Sequence, residues 1–205
     1  MTLGSASALP AIGILGVDSG RDIHLPSARP EELMEAYVDG NADAFDELYR
    51  RLAPNLFGYL LRLTRQRERA EDLLQVTFAK VHRARGSYLR GAPVLPWMLA
   101  IARRSFLDER RHASTRTEDL SFDGNLPEPK PEAAAVPADL SAALERALDE
   151  LPEGYREAIQ LTKISGLSIA EAADVLGTTE TAVKLRVHRG YTQLRKELER
   201  FNRTV

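Results

Sequence analysis

The sequence predicts an all-α protein of two helical domains joined by a flexible acidic linker. Apolar residues recur at intervals of three and four positions through both halves of the 205-residue chain, the spacing typical of amphipathic helices. No alternating apolar and polar run is long enough for a strand. Between the helical stretches, residues 113–138 contain four prolines, many acids and few large apolar groups. Such a segment cannot bury enough surface to offset its ordering entropy, which predicts a linker.

The N-terminal residues 1–28 are rich in Gly, Ser, Ala and Pro and lack sustained periodicity, which predicts a disordered tail. The longest apolar run, 8–17, is about half as long as a membrane span requires and contains two glycines and a proline. No Lys or Arg precedes it, so it lacks the basic start of a signal peptide. The sequence therefore predicts a cytoplasmic protein that does not insert into a membrane.

The first predicted domain spans residues 29–112. Its opening helical stretch contains Pro54, where we expect the helix to kink or restart. A second helix is predicted over 70–83 and a third over 97–111, with a loop rich in proline and glycine, 87–96, between them. The spacing in the third helix predicts that Trp97, Ile101 and Ser105 point inward, with Leu99 and Phe106 on the flank.

The second predicted domain spans residues 139–205 and carries a helix-turn-helix pattern. Ser168 and Glu171 have the spacing of a capping box, which predicts the start of a short helix. Gly177 follows that helix at the position of a left-handed cap, and Thr179 can cap the next, longer helix. Helix, glycine turn and longer helix together are typical of the helix-turn-helix of DNA-binding proteins.

The long C-terminal helix has two faces. An apolar face is predicted to pack inward and consists of Val183, Val187, Gly190, Leu194 and Leu198. The opposite face carries Thr181, Lys184, Leu185, His188 and Arg189, and Arg186 lies off it. This second face is either a solvated basic surface or a surface that contacts base edges in a major groove. The capped turn before the helix favours the major groove, with Arg186 better placed for a phosphate.

The net charge of −2 conceals an alternation of acidic and basic blocks. Residues 48–115 carry +9 and residues 154–205 carry +3, whereas residues 29–47 carry −6 and residues 116–153 carry −7. Basic blocks in both helical domains predict nucleic acid as a partner, with other partners on the acidic segments.

The sequence contains little that indicates an enzyme or a metal site. The absence of cysteine excludes disulfides, thiolate metal sites and cysteine nucleophiles, and the four histidines are scattered along the chain. Neither a phosphate-binding glycine motif nor a nucleophile elbow is present. Glu71 and Asp72 are adjacent and diverge by about 100° on a helix, so they do not form a facing acid–base pair. We therefore expect no catalytic residue, metal or cofactor; the acidic helix start is either simply solvated or a docking surface for a basic partner.

Three segments together resemble one protein family. They are AEDLLQVTFAKVHRA at 70–84, PWMLAIARRSFLDERRH at 96–112, and LPEGYREAIQLTKISGLSIAEAADVLGTTETAVKLRVHRGYTQLRKEL at 151–198. In this order and spacing they resemble the extracytoplasmic-function (ECF) sigma factors, the two-domain members of the sigma-70 family. The resemblance covers about residues 40–112 and 139–200, which would be regions 2 and 4 of that family.

The resemblance implies a sigma factor that binds core RNA polymerase and directs promoter recognition, DNA melting and initiation. The 70–84 segment resembles the helix that binds the clamp helices of the largest subunit, and region 4 would meet the flap. Asp72, Gln75 and Phe78 match the family's polymerase-binding positions. Val76 and His82 depart from the family, which commonly has an acid and a tryptophan there.

The resemblance also implies two DNA contacts. The loop at 88–96 corresponds to the place where the family captures a flipped promoter base. Region 4 would bind the −35 element through Thr181, Lys184, Leu185, Arg186, His188 and Arg189. Region 2 would bind the −10 element through Tyr88, Trp97, Arg103, Arg104, Asp108 and Arg111.

Two further partners follow from the same resemblance. The acidic linker would thread the polymerase cleft toward the RNA exit channel, and an anti-sigma factor would hold the free protein. The competing hypothesis is a helix-turn-helix regulator that binds duplex DNA without polymerase, which would not need the 70–111 block.

Overall fold

The computed structural model describes residues 24–116, 144 and 146–204, and these residues form helices and connecting turns without a β-strand. The all-α prediction is confirmed. None of the helices in this part of the chain is long and apolar enough to cross a membrane. The helices are α1 (Pro30–Val38), α2 (Ala42–Thr64), α3 (Arg67–Ala84), α4 (Val94–Arg116), α5 (Glu153–Ile159), α6 (Ile169–Leu176) and α7 (Glu180–Thr204).

Shorter helical turns complete the described part. Leu25–Ser27 and Arg85–Ser87 are 3-10 turns, and Gln160–Ile164 is a π-helical turn that continues α5. Residues 146–149 are helical as well. The predicted linker 113–138 lies outside the described residues, apart from the end of α4.

The segment just before α1 is ordered, whereas the sequence predicts a tail as far as residue 28. The guanidinium of Arg51 donates to the backbone carbonyls of Leu25, Pro26 and Ala28 at 2.7, 2.8 and 2.6 Å. Ala28 is buried against the core. The Arg51 guanidinium therefore satisfies three backbone carbonyls at once. These bonds hold the segment 24–28 in place, although its sequence has no helical periodicity. Residues 1–23 lie outside the described part.

Several helix boundaries differ from the predicted ones, and α3 begins at Arg67 rather than at residue 70. α1 ends at Val38, and Asn41 caps α2 by accepting a hydrogen bond from the Ala44 amide at 3.1 Å. Pro54 lies inside an α2 that does not restart there. α4 begins at Val94, before its predicted start, which places Pro96 in the first turn of the helix, where a missing amide costs nothing.

The inward face of α4 is rotated from the predicted one. Trp97 and Ile101 are only half-buried, while Met98 and Ala102 are fully buried. Ser105 is buried as predicted, and its hydroxyl donates to the Ile101 carbonyl at 2.9 Å. The face of α4 that packs against the core carries Met98 and Ala102, whose side chains are smaller or more flexible than the Trp97 indole. Leu99 and Phe106 are also buried on this face.

One apolar core continues from the first domain into the second. α2, α3 and α4 pack together, α6 packs against α4, and its buried residues Ala172 and Ala173 belong to the same apolar core. α5 packs against α7, where a smaller buried cluster forms. The two domains are therefore in direct contact. The smaller cluster contains Ala147, Leu151, Ile159 and Leu194.

Gly190 is the point of closest approach between α5 and α7. A Cβ at this position would lie 2.6 Å from Ile159 Cδ1 and 3.4 Å from Tyr155 Cβ. We expect Gly190→Val to lower the free energy of unfolding by about 2 kcal/mol, because the added atoms overpack a closed contact. Urea unfolding followed by circular dichroism measures the change. Gly86→Val is the matched control, since nothing lies within 4 Å of a Cβ there; equal midpoints for the two variants would contradict the expected overpacking.

Candidate nucleic-acid and polymerase interfaces

The predicted caps of the helix-turn-helix are confirmed. The Ser168 hydroxyl accepts from the Glu171 amide at 3.2 Å, and the Glu171 carboxylate accepts from the Ser168 amide at 2.7 Å. Gly177 ends α6 with a φ of 62°, in the left-handed region that favours glycine. The Thr179 hydroxyl accepts from the Ala182 amide at 3.2 Å and caps α7. These local hydrogen bonds fix the angle at which α7 leaves the domain.

The two predicted faces of α7 are also present. Val183 is fully buried, Leu194 and Gly190 are buried, and Val187 and Leu198 are half-buried. On the opposite side the candidate −35 residues Thr181, Lys184, Leu185, His188 and Arg189 are all exposed. Leu185 keeps 45% of its surface in solvent, so its apolar side chain is accessible on this face.

Arg186 differs from its neighbours on α7. It is half-buried and extends along α5, where its Nε lies 3.8 Å from the position of a Cβ on Gly154. Lys184 by contrast is held only by an exposed pair with Glu180 at 3.4 Å, which a phosphate or base can replace at little cost. The side chains of α7 therefore divide into an exposed face and a flank, as the sequence predicts.

The candidate −10 residues do not share one surface. Arg104 and Arg111 are exposed, and Trp97 is half-buried. Tyr88 is buried, donates its hydroxyl to the Ala92 carbonyl, and packs against Trp97 with ring centroids 5.4 Å apart. Burial raises the pKa of Tyr88 to about 12, so it remains a neutral donor. Tyr88 therefore supports the loop before α4 from the side that faces the protein interior.

A basic groove runs between α3 and α4. Lys80 and Arg83 line it from α3, and Arg104 and Asp108 line it from α4, around a volume of about 410 Å³. Asp108 pairs with Lys80 at 3.7 Å and with Arg111 at 3.1 Å, which orients two cations at the rim. The groove has the charge that a nucleic-acid backbone requires. Lys80 and Arg83 were not among the sequence-predicted site residues, although their spacing of three places them on one face.

The candidate polymerase residues separate into exposed and buried ones. Asp72 and Gln75 are exposed on α3, but Phe78 is only 5% exposed and packs on Tyr49 of α2 with ring centroids 4.6 Å apart. Phe78 therefore belongs to the core beneath the surface. Tyr49 and Val76, at 40% and 41% exposed, are the large apolar side chains on this face, and sequence reasoning missed Tyr49.

Arg103, predicted to contact the −10 element, instead binds the second domain. Its Nε donates to Glu157 Oε1 at 2.9 Å, and the Tyr59 hydroxyl donates to the same oxygen at 2.6 Å. We call these three side chains the Glu157 cluster. Burial raises the pKa of Tyr59 well above its usual value, and the charge of Glu157 raises it further. Burial alone would lower the pKa of Arg103, but its hydrogen bond and ion pair with Glu157 raise it instead.

Two exposed ion pairs surround the Glu157 cluster and also join the domains. Arg110 pairs with Glu153 at 2.7 Å, and Arg65 pairs with Asp149 at 3.0 Å. Each of these side chains keeps at least 42% of its surface in solvent, so each pair contributes little free energy. The buried cluster and the α4–α6 packing therefore dominate the contact between domains.

Comparison with known proteins identifies the family. Residues 48–116 match the sigma-70 region 2 family, and residues 141–194 match sigma-70 region 4. The chain is 38% identical over 174 residues to the RNA polymerase sigma factor CarQ of Myxococcus xanthus, covering 80% of this chain and 95% of that protein. It is 32% identical over 200 residues to the ECF RNA polymerase sigma factor SigM of Mycobacterium tuberculosis strain H37Rv, covering 96% and 94%. The chain belongs to the ECF sigma factors of the sigma-70 family.

Two solved structures share the fold. The sigma factor RpoE of Bartonella quintana, in complex with the anti-sigma factor NepR, matches with a TM-score of 0.68 and 25% identity over 77% of this sigma factor and 98% of that chain. CnrH, in complex with the cytosolic domain of CnrY, matches with a TM-score of 0.62 and 26% identity over 83% and 97%. The resemblance first seen in three sequence segments is thus confirmed at the level of family and fold.

Proposed function

We propose that this sigma factor binds core RNA polymerase through the α2–α3 face, binds the −10 element through the α3–α4 groove, and binds the −35 element through α7. Residues 29–112 and 139–205 would act as the two functional domains, with 113–138 as the linker. The observation that carries the proposal is α7, whose buried apolar face and exposed polar face follow a fully capped turn. The short helix, the glycine turn and the longer helix with an exposed polar face together match the arrangement that places a recognition helix in a major groove.

The −10 assignment rests on the groove and the loop before α4. Lys80, Arg83 and Arg104 would follow the phosphates, while the 88–93 loop would take up an unstacked base. Leu89 at the loop tip is 76% exposed and has no packing role within the described residues, which suits an apolar contact to a base.

Promoter binding would require the two domains to separate. Positions −10 and −35 lie about 25 base pairs apart, roughly 85 Å along B-form DNA at about 3.4 Å per base pair. In the structure the domains touch through the Glu157 cluster, which also occupies Arg103. Residues 113–116 belong to α4, and the other 22 residues of the linker, 117–138, span roughly 75 Å when fully extended, a length that permits the domains to separate.

The remaining partners follow from the proposed function. The polymerase would perform the chemistry, so the sigma factor itself needs no catalytic residue, metal or cofactor, and it would act in the cytoplasm with the polymerase. Because the structurally similar sigma factor RpoE is solved in complex with the anti-sigma factor NepR, we include an anti-sigma factor among the partners.

Polymerase binding is expected to depend on the exposed part of α3. Asp72→Arg should weaken the complex with core polymerase by about 2 kcal/mol or more, because it reverses a charge at the centre of the proposed contact. Co-purification of core enzyme at several concentrations measures the loss. The control is Asp43→Arg, the same reversal on an exposed acid at the start of α2. Equal binding of both variants would rule out this face as the docking surface. Phe78→Ala is unsuitable here, since it would open a cavity in the core.

Transcription in vitro tests the proposed function as a whole. Core polymerase with and without the sigma factor is incubated with pooled fragments of the source genome, and the transcript starts are sequenced. We expect starts that depend on the sigma factor and share sequence near −10 and −35. A sigma factor that binds DNA fragments but yields no such transcripts would favour the helix-turn-helix regulator instead.

A further inference from the structure

Helix α1 lies outside the matched family regions, yet it holds the loop that precedes α4. The Glu35 carboxylate accepts a hydrogen bond from the Gly91 amide at 2.9 Å, and Glu31 accepts from the Val94 amide at 3.4 Å. Asp39 receives both terminal nitrogens of Arg90, one of them at 3.0 Å. We call Glu31, Glu35 and Asp39 the α1 carboxylates. They follow one another at intervals of four residues and therefore lie on one side of the helix.

The 88–93 loop has a defined shape that depends on these contacts. Gly91 has a φ of 77°, which side chains rarely adopt, and the Ala92 amide donates to the Leu89 carbonyl at 3.0 Å to close a turn. From the inner side, the Tyr88 hydroxyl donates to the Ala92 carbonyl. The amides of Gly91 and Val94, by contrast, find their acceptors on α1. Without the α1 carboxylates the outer half of the loop would lose its anchors.

The arrangement is more specific than a surface ion pair. Exposed pairs contribute little, and Arg90 with Asp39 alone would be one of these. Here two carboxylates bind Arg90 and Gly91 of the 88–93 loop, and a third binds the Val94 amide where α4 begins. Two of these bonds involve backbone amides, which no substitution except proline removes. The bond from the Gly91 amide to Glu35, at 2.9 Å, has the length of a charge-assisted hydrogen bond, one of the stronger kinds in proteins. The contact of Glu31 with the Val94 amide, at 3.4 Å, is longer and weaker.

We propose that the α1 carboxylates are positioning residues that hold the 88–93 loop in the shape that receives a promoter base. They act through the loop and need not touch DNA themselves. This inference rests on the proposed function of the loop at the −10 element. It predicts that residues 31–39, far from the recognition motifs in the sequence, influence the base preference of the sigma factor.

The test compares Glu35→Ala, Glu35→Gln and the control Asp43→Ala in complex with core polymerase. Transcription from a library randomised across the −10 element gives the preference for each base. Glu35→Ala should reduce the preference at the captured position about tenfold, the factor that loss of one charge-assisted hydrogen bond produces. Glu35→Gln keeps an oxygen that accepts from the Gly91 amide and should retain most of the preference. Asp43→Ala removes an exposed carboxylate from the next helix and should behave as wild type.

Two further readouts separate the possible failures. Amide hydrogen exchange at Gly91 should accelerate in Glu35→Ala, while the melting temperature and core binding remain close to wild type. Unchanged base preference in Glu35→Ala, with a normal preference in the wild type, would overturn the positioning role alone. A wild-type protein without any −10 preference would overturn the proposed function of the loop and this inference with it. A loss of preference equal in Glu35→Gln and Glu35→Ala would also overturn it, because the hydrogen bond would then not be the cause.

Discussion

Glu157→Ala is expected to separate the two domains of the free sigma factor. The side chain of Glu157 is 8% exposed and accepts hydrogen bonds from Tyr59 and Arg103. Its removal leaves the fully buried Tyr59 hydroxyl without an acceptor and the Arg103 guanidinium without its counter-charge. Because Arg103 retains 23% of its side-chain surface in solvent, we expect a cost of about 2 kcal/mol rather than the 3–5 kcal/mol of a fully buried pair. That shifts the closed-to-open equilibrium about 30-fold.

The distance between the domains reports this shift directly. Since the chain contains no cysteine, Ser87→Cys and Thr192→Cys place two fluorophores without competing labels. Energy transfer should fall in Glu157→Ala and remain unchanged in Glu153→Ala, which removes only an exposed pair with Arg110. If the Glu157 variant is folded and transfers as efficiently as wild type, α4–α6 packing alone holds the domains together.

Lys184→Ala and Arg189→Ala are expected to relax base preference at particular −35 positions. Both side chains are exposed on the free face of α7, where a bidentate contact to guanine contributes about 1–3 kcal/mol of discrimination. Arg186→Ala should instead weaken all promoters alike and lower the salt slope by about one unit, because Arg186 leans toward α5 and suits a phosphate.

Binding of the sigma–polymerase complex to a −35 mutant library at two salt concentrations distinguishes these roles. Circular dichroism verifies that Arg186→Ala, which also removes packing against Gly154, remains folded. If Arg186→Ala changes base preference while Lys184→Ala and Arg189→Ala do not, α7 lies on the groove with a different rotation.

Local signals made the second domain predictable from the sequence. The capping box of Ser168 and Glu171 and the cap at Thr179 each join residues three positions apart. Both partners of each hydrogen bond can therefore be recognised in a short stretch of sequence. The faces of α7 follow from the same short periodicity. The family resemblance extended these signals to a function, which the comparisons then confirmed.

Interactions between distant parts of the chain were not predictable. Tyr59 and Glu157 are 98 positions apart, so no spacing rule connects them, and Arg103 looked like one more exposed arginine. The spacing places Phe78 on the apolar face of its helix, and only the family resemblance made it a docking residue; in the structure Tyr49 from another helix packs against it. The α1 carboxylates have helical spacing, yet their partners on the 88–93 loop follow more than 50 residues later. Tertiary packing decides each of these cases.

Permanganate footprinting of a promoter tests most directly whether the sigma factor directs DNA opening. The reagent oxidises unstacked thymines, so it reports melting at the −10 element. We expect reactive thymines only when core polymerase and the sigma factor are both present. At a sigma-factor concentration near its affinity for core polymerase, we expect Asp72→Arg to reduce the reactivity strongly. Reactive thymines with core polymerase alone would contradict the claim that the sigma factor directs DNA opening. A complete complex that binds the duplex without any reactive thymine would contradict it as well.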